Sequence, residues 1–136
     1  MKSLPTQQDA LLARARRLLH DHTTRARKDG QTLDYGLAEV RQLLAEHPLC
    51  EYCRAPLSHA ASLDHRTPIS QGGKHILANL AVVCLPCQQR KGILLEEEYR
   101  ALLALGATWR PRSQSDLLAR LRAGGGKRYA RRRTAP

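Results

Sequence analysis

The feature of this sequence that most constrains its fold is a pair of Cys-x-x-Cys units. The four cysteines of the chain fall into the pairs Cys50/Cys53 and Cys84/Cys87, with residues 54–83 between them. In such a unit both thiolates can point to one side of the chain, so two units have the ligand number of a tetrahedral zinc site. Four thiolates leave no open coordination position, and we therefore expect this zinc to be structural, not catalytic.

Two other uses of the same cysteines stay open at this point, namely two disulfide bonds or a redox-active pair. Residues 1–5 lead into a charged segment and not into an apolar one, which does not fit a secretory signal and favours a reducing compartment. A redox pair would need a thioredoxin-like pattern beside it. The chain has no Phe, one Trp and one Met, so zinc binding would add folding free energy that a small core lacks.

The net charge points to a polyanionic partner. The 136-residue chain carries a formal net charge of +11, and residues 106–136 hold nine Lys or Arg against one Asp, a net of +8. A Gly-Gly-Gly joint precedes a basic tail, whose cations include Lys127, Arg128, Arg131, Arg132 and Arg133. Nucleic acid is the default partner for such a surface, and a solvated tail that aids solubility is the alternative. The longest nearly apolar run, residues 76–85, is too short to cross a bilayer, so we expect no membrane partner.

Hydrophobic periodicity predicts an α+β fold in three parts. Residues 1–48 form an N-terminal helical segment, with a helix from about residue 6 to 28 and a second one that is capped within residues 32–34 and ends near residue 47. Residues 49–105 contain two short strands, at 62–67 and 80–85, a helix that begins near Pro86, and a helix over residues 96–106. Residues 106–136 are a basic C-terminal tail with one more short helix at 116–122.

The candidate chemistry lies between the two cysteine pairs. Asp64 and His65 are neighbours on the first predicted strand, where adjacent side chains point to opposite faces of a sheet. An Asp-His dipeptide is weak evidence by itself. Its position between two metal knuckles, with Gly72-Gly73 in the loop that follows, makes it a stronger candidate.

Residues 50–92 resemble the HNH endonuclease family, whose fold is a ββα-metal finger. The matching pattern runs in order through Cys50-x-x-Cys53, Asp64-His65-x-x-Pro68, Gly72-Gly73, Asn79-Leu80, Cys84-x-x-Cys87 and Lys91-Gly92. The resemblance covers about a third of the chain. It implies a small ββα-metal finger with zinc knuckles, flanked by the N-terminal helices and by a C-terminal helix plus the basic tail.

The resemblance also implies roles for four side chains. His65 corresponds to the general base that takes a proton from the attacking water. Asp64 corresponds to the carboxylate that binds one catalytic divalent ion, commonly Mg²⁺, and Asn79 to the residue that braces the loop between the strands. The next metal-binding position, normally His or Asn, is Gln88 here. An amide oxygen can bind a hard cation, but the Gln side chain is one methylene longer than that of Asn.

The function implied is hydrolysis of DNA phosphodiester bonds, by nicking or by cleavage, with double-stranded DNA as the expected substrate. Arg66, Arg90 and Lys91 lie near the motif and are candidates for phosphate contacts, with a solvated basic surface as the alternative. His75 is a candidate for a further phosphate contact or ligand. We expect a cytoplasmic protein, encoded by a bacterium or a phage. It could act as a homodimer or with a larger phage or mobile-element machine.

Two other functions stay open at the level of sequence. Gln88 at the metal position leaves room for a zinc-stabilised nucleic-acid-binding module with weak or lost nuclease activity. A plain zinc-ribbon interaction protein is the third hypothesis, but it gives the Asp64-His65 pair and the basic tail no role.

The charge distribution predicts that the tail adds sequence-independent affinity for DNA. Deletion of residues 124–136 removes Lys127, Arg128, Arg131, Arg132 and Arg133. Because each neutralised phosphate releases counterions, we expect the deletion to weaken DNA binding and to flatten the dependence of log Kd on log salt concentration. Fluorescence anisotropy on a labelled duplex at several salt concentrations measures both quantities. An unchanged salt slope would contradict the prediction.

Overall fold

The computed structural model of the chain describes residues 3–57, 61–106, 115–116 and 118–123. The five cations predicted to contact DNA from the tail lie outside the described residues. These are Lys127, Arg128, Arg131, Arg132 and Arg133. Within the described part, no helix combines the length and apolarity that a membrane span requires.

The first helix, α1, runs over Gln7–Lys28 as the sequence predicted. It begins at a capping box, in which the Thr6 hydroxyl accepts a hydrogen bond from the backbone N–H of Asp9 and the Asp9 carboxylate accepts one from the backbone N–H of Thr6. These bonds satisfy N–H groups that a helix start otherwise leaves without partners. The chain leaves the helix through Asp29 and then Gly30, which adopts a φ of +68°.

The second helix, α2, runs over Leu37–Glu46. The prediction that residues 32–34 cap it was wrong, because its N-cap is Gly36, whose backbone N–H is bound by the Glu39 carboxylate. The Asp34 side chain has a different role, since it accepts a hydrogen bond from the backbone N–H of Leu77 across the molecule. A capping-type residue thus makes a long-range contact that sequence proximity does not indicate.

The centre of the molecule is an antiparallel hairpin followed by a helix. Strand β1 (Ala61–His65) pairs with β2 (Leu80–Cys84), and α3 (Leu85–Lys91) starts directly after β2 with Pro86 in its first turn. In this register His65 is paired with Leu80 and Asp64 with Ala81. The predicted ββα arrangement is therefore confirmed, with each strand slightly shorter than the sequence indicated.

A fourth helix, α4 (Glu96–Gly106), is joined to the hairpin by a chain of ion pairs. Arg66 follows β1, and its guanidinium contacts Glu51 at 2.8 Å and Glu96 at 2.9 Å. The second carboxylate oxygen of Glu51 accepts a 2.6 Å hydrogen bond from the backbone N–H of Val82. The segment between the first two cysteines is thereby tied to both strands and to α4. Side chains from all four helices and both strands contribute to one apolar core.

The loop between the strands is held by Asn79. Its Oδ1 accepts a 2.9 Å hydrogen bond from the backbone N–H of Thr67, and its Nδ2 donates to the backbone oxygens of Thr67 and Lys74, each at 3.0 Å. The loop also passes very close to itself at Gly73, where a Cβ atom would lie 1.9 Å from the backbone oxygen of Thr67. Only glycine fits there without a backbone shift.

We predict that Asn79→Asp destabilises the protein although the two side chains have the same shape. The carboxylate can still accept from the N–H of Thr67, but it cannot donate to the two backbone oxygens that Asn79 binds. We expect a loss of about 2–3 kcal/mol in the free energy of unfolding, measured by urea denaturation. Gln31→Glu, the same chemical change at an exposed position, is the control. Equal stability of both variants would contradict the prediction.

Candidate functional site

The four cysteine sulfurs lie together, all within 4.8 Å of one another. The sulfurs of Cys53 and Cys84 are 3.7 Å apart, close to the roughly 3.8 Å between thiolates on a tetrahedral zinc with bonds of about 2.3 Å. All four are free thiols. The cluster joins the turn that contains Cys50 and Cys53 to the junction of β2 and α3, and its donor set fits a zinc ion.

Local hydrogen bonds favour a thiolate at Cys50, whereas burial raises the pKa of the Cys84 and Cys87 thiols. Burial alone would raise the pKa of Cys50, but hydrogen bonds from the backbone N–H groups of Cys53 and Cys84 outweigh it and lower the pKa to about 7. A thiolate is the form that binds a metal. Cys50 and Cys87 are buried, whereas Cys53 is exposed, so the cluster lies at the surface with its inner half enclosed.

His65 ends strand β1 and its ring faces α1. The ring stacks on His22 of α1, with centroids 5.0 Å apart, and meets the edge of His75 at 5.2 Å. Only 5% of His65 is exposed, and its Nε2 has no hydrogen-bond partner among the described residues. Burial, reinforced by the neighbouring His22, His75 and Arg25, lowers the pKa of His65 to about 3. The imidazole is therefore uncharged at neutral pH, the form that can accept a proton.

The two histidines beside His65 are themselves fixed. His22 Nδ1 lies 2.7 Å from the Tyr35 hydroxyl, and His75 Nε2 lies 3.0 Å from an Asp29 carboxylate oxygen at the end of α1. His22 is not among the residues that the sequence pattern singles out. The signal was present, because helical periodicity places His22 on the buried face of α1, where a polar side chain needs a partner.

Asp64 points to the other face of the strand, toward α3, as the alternation predicts. Its Oδ2 lies 2.9 Å from Lys91 Nζ and 3.4 Å from the Tyr52 hydroxyl. Burial raises the pKa of the Asp64 carboxyl, and the Lys91 ammonium opposes that rise. Lys91 is fully buried and also donates to the backbone oxygen of His65 at 2.8 Å. This ammonium therefore holds both residues of the Asp-His pair in place.

Gln88 lies on α3 and reaches the same strand. Its Oε1 accepts a 2.6 Å hydrogen bond from the Ser62 hydroxyl, and its Nε2 donates to the backbone oxygen of Leu63 at 3.3 Å. The longer side chain of Gln is thus accommodated by contacts along the edge of β1. An Asn at this position would be one methylene too short to make them in the same way.

Asp64, His65 and Gln88 line one cleft of about 470 Å³, together with Arg25 from α1. The three residues that the sequence singled out for catalysis and metal binding are thereby brought to one concave surface. Asn79 lies outside it and acts on the loop beside it.

The basic residues near the motif have different environments. Arg66 is engaged by two carboxylates and Lys91 is buried against Asp64, so neither guanidinium nor ammonium faces solvent freely. Arg90 is exposed, and its backbone oxygen accepts from the Arg122 guanidinium. Of the three predicted phosphate contacts near the motif, Arg90 has the exposure that such a contact needs.

The oxygens of Asp64 and Gln88 fit a hard divalent cation in number and kind. A carboxylate has about four acceptor positions and an amide oxygen two, so the contacts to Lys91 and Ser62 leave acceptor capacity. One carboxylate and one amide leave most positions of an octahedral ion to water and substrate, as Mg²⁺ prefers. Among the described residues, the cysteines form the only group of three or more His, Cys, Asp or Glu side chains close enough to share one ion.

A family model described as HNH endonuclease matches residues 50–93. No curated protein and no solved structure gives a match. The match begins at the first cysteine of the cluster and ends just after α3, so it contains both cysteine pairs, the hairpin and the side chains of Asp64, His65 and Gln88. The sequence resemblance is thereby confirmed: residues 50–93, about a third of the chain, match the model of the HNH endonuclease family.

Proposed function

We propose that this chain is a metal-dependent HNH endonuclease that hydrolyses phosphodiester bonds of DNA. The observation that carries the proposal is one cleft lined by His65, Asp64 and Gln88 on a ββα frame that matches the model of the HNH family. A zinc ion on the four cysteines is proposed as the structural brace of that frame, because their sulfurs have the spacing of a tetrahedral site.

In the proposed reaction His65 acts as the general base. A water oxygen attacks phosphorus, the proton of that water passes to His65 Nε2, and one P–O ester bond breaks with its electron pair on the departing oxygen, which takes a proton from solvent. The ring is uncharged and can accept a proton, its Nε2 has no hydrogen-bond partner within the described part of the chain, and burial lowers its pKa and with it its strength as a base. His22 and His75 hold the ring in one orientation, which reduces the entropic cost of reaching the reactive geometry.

The Asp64 carboxylate and the Gln88 amide oxygen are the proposed ligands of a catalytic divalent ion, Mg²⁺ or another. Such an ion, when bound, stabilises negative charge on the phosphate and on the leaving oxygen. Lys91 keeps the Asp64 carboxylate in place for that role through its contact at Oδ2. Asn79 keeps the loop next to His65 in one conformation.

One observation favours a second candidate, a zinc-stabilised nucleic-acid-binding module with weak or lost nuclease activity. The Gln88 oxygen already accepts a short hydrogen bond from Ser62, and Asp64 is already paired with a buried cation. Both contacts compete with a catalytic ion. We prefer the nuclease, because the buried Nε2 of His65 has no hydrogen-bond partner among the described residues, and a purely structural site would have no reason to keep such an atom.

We predict that purified protein nicks or cleaves plasmid DNA in the presence of a divalent ion and that His65→Gln lowers the rate by about 10²–10⁴-fold. Gel analysis of supercoiled plasmid in Mg²⁺, Mn²⁺ or Ni²⁺ measures the rate. His20→Gln, the same change at an exposed position of α1, should leave it unaltered. Equal rates for wild type and His65→Gln in every ion would contradict the assignment.

Gln88 variants separate the two candidate functions. If wild type binds DNA without cleavage, and Gln88→Asn and Gln88→His remain inactive, the binding module is the correct function. Cleavage that Gln88→Asn alters in rate or in metal preference supports a ligand role for this position.

We predict one zinc ion per chain, held by Cys50, Cys53, Cys84 and Cys87. Elemental analysis of the purified protein measures the stoichiometry. Removal of the ion with a strong chelator should lower the thermal midpoint, and added Zn²⁺ should restore it, because binding free energy contributes to folding free energy. A protein that is fully folded without metal, with these cysteines joined in disulfides, would contradict the prediction.

A further inference from the structure

We propose that helix α1 is a DNA-backbone binding element, with Arg25 as the residue that holds a phosphate at the mouth of the cleft. The inference rests on the proposed function and adds to it a substrate-binding residue outside the HNH segment. The ligand is a phosphate group of the DNA strand that enters the cleft.

Few cations near the cleft can reach a phosphate there. Lys91 is buried in an ion pair, and Arg66 is held between two carboxylates. Among the residues that line the cleft, Arg25 is the only Lys or Arg. It is exposed, and its guanidinium has no ion pair within residues 3–57, 61–106 and the described part of 115–123. Among the described residues that line the cleft, it is therefore the cation available to substrate, and the exposed Arg90 lies beside the lining residue Gln89.

Helix α1 carries positive charge along one side. One side of the helix carries a row of cations at successive spacings of three, eight and three residues, which helical geometry places on the same side. The row consists of Arg14, Arg17, Arg25 and Lys28, and Asp21 lies within it. That side flanks the buried face, which contains Ala15, Leu18, His22 and Ala26. From residue 14 to residue 28 the helix rises about 21 Å, which matches about six base-pair steps of B-DNA at roughly 3.4 Å each. A row of this length can follow a strand that leads to the cleft.

Helix α1 is attached at several points to β1, the strand that carries His65, and to the loop that follows it. Arg14 Nε donates to the backbone oxygen of Ala61 at 2.7 Å, and the His22 ring stacks on His65. At the C-terminal end of the helix, Asp29 contacts His75. Arg25 lies between these attachments, so its backbone is fixed relative to His65. From this fixed backbone position the Arg25 guanidinium can donate two parallel hydrogen bonds to phosphate oxygens, and the helix needs no further ordering.

The experiment compares Arg25→Ala with Arg27→Ala in the zinc-loaded full chain. Arg27 is also exposed and lies two residues further along α1, on the opposite side of the helix. Binding of a labelled duplex is measured by fluorescence anisotropy at several salt concentrations with Ca²⁺ in place of the catalytic ion. Cleavage of the same duplex is measured separately in Mg²⁺ or Mn²⁺. Thermal melts check that both variants are folded.

For Arg25→Ala we expect the slope of log Kd against log salt concentration to fall by about 0.9, the value for one phosphate contact. This change corresponds to about eightfold weaker binding near 0.1 M salt. Cleavage at low DNA concentration should fall at least as much, and Arg25→Lys should recover part of the affinity. Arg27→Ala should resemble wild type.

Equal Kd values and equal salt slopes for the two alanine variants would overturn the inference, whereas the proposed function would stand if wild type still cleaves DNA. A wild-type protein that neither binds nor cleaves DNA would overturn the proposed function itself, and the inference with it.

Discussion

The structure depends on the meeting of four cysteine sulfurs at the junction of β2 and α3. These sulfurs join the turn at residues 50–53 to the start of α3, and Glu51, within that turn, bonds the backbone of Val82 and the side chain of Arg66. The two-stranded sheet is small, and an isolated hairpin of this size is marginally stable. A bound zinc would fix its one end, while Asn79 fixes the loop at the other. His65 lies at the end of β1, close to the loop that Asn79 holds.

In the candidate site the charges of Lys91 and Asp64 compensate each other, which explains how both side chains can be buried. Lys91 is fully buried, and such a cation is tolerated only with a close anion and further hydrogen-bond acceptors. Asp64 supplies the anion and the His65 backbone oxygen supplies an acceptor. The same ammonium keeps Asp64 near His65 without adding net charge to the cleft. In the proposed complex the positive charge offered to a phosphate would come from a neighbouring element, and Arg25 of α1 is the side chain proposed to supply it.

Much of the central fold could be predicted from the sequence, because its determinants are local. The cysteine spacing, the Gly-Gly loop and Pro86 each act within a few residues, and together they indicate the order strand, loop, strand, helix. The roles of Asp64, His65 and Gln88 are implied by the resemblance to the HNH family. The partners of Arg66 and Lys91 could not be predicted in this way. Both contacts join residues that are far apart in the chain. Local pattern therefore predicts phosphate contacts for two basic side chains whose charge is neutralised within the protein.

The packing of α1 against the candidate site also could not be predicted from local sequence patterns. Periodicity predicted the helix and its start at Thr6, but it could not indicate that this helix packs on the strand that carries His65. The stack of His22 on His65 and the contact of His75 with Asp29 make α1 one wall of the site. The segment outside the family match is therefore part of the site, which is a reason to expect that residues 50–93 alone would not reproduce the properties of the whole chain.

The most direct test of this account is single-turnover cleavage of a defined DNA duplex by zinc-loaded wild type and by zinc-loaded His65→Gln, with binding affinity measured in the same samples. The account predicts a rate constant that requires a divalent ion and falls by at least about 100-fold in the variant, while the affinity for the duplex is retained. Equal rate constants in the two proteins, at equal zinc content and equal affinity, would contradict it.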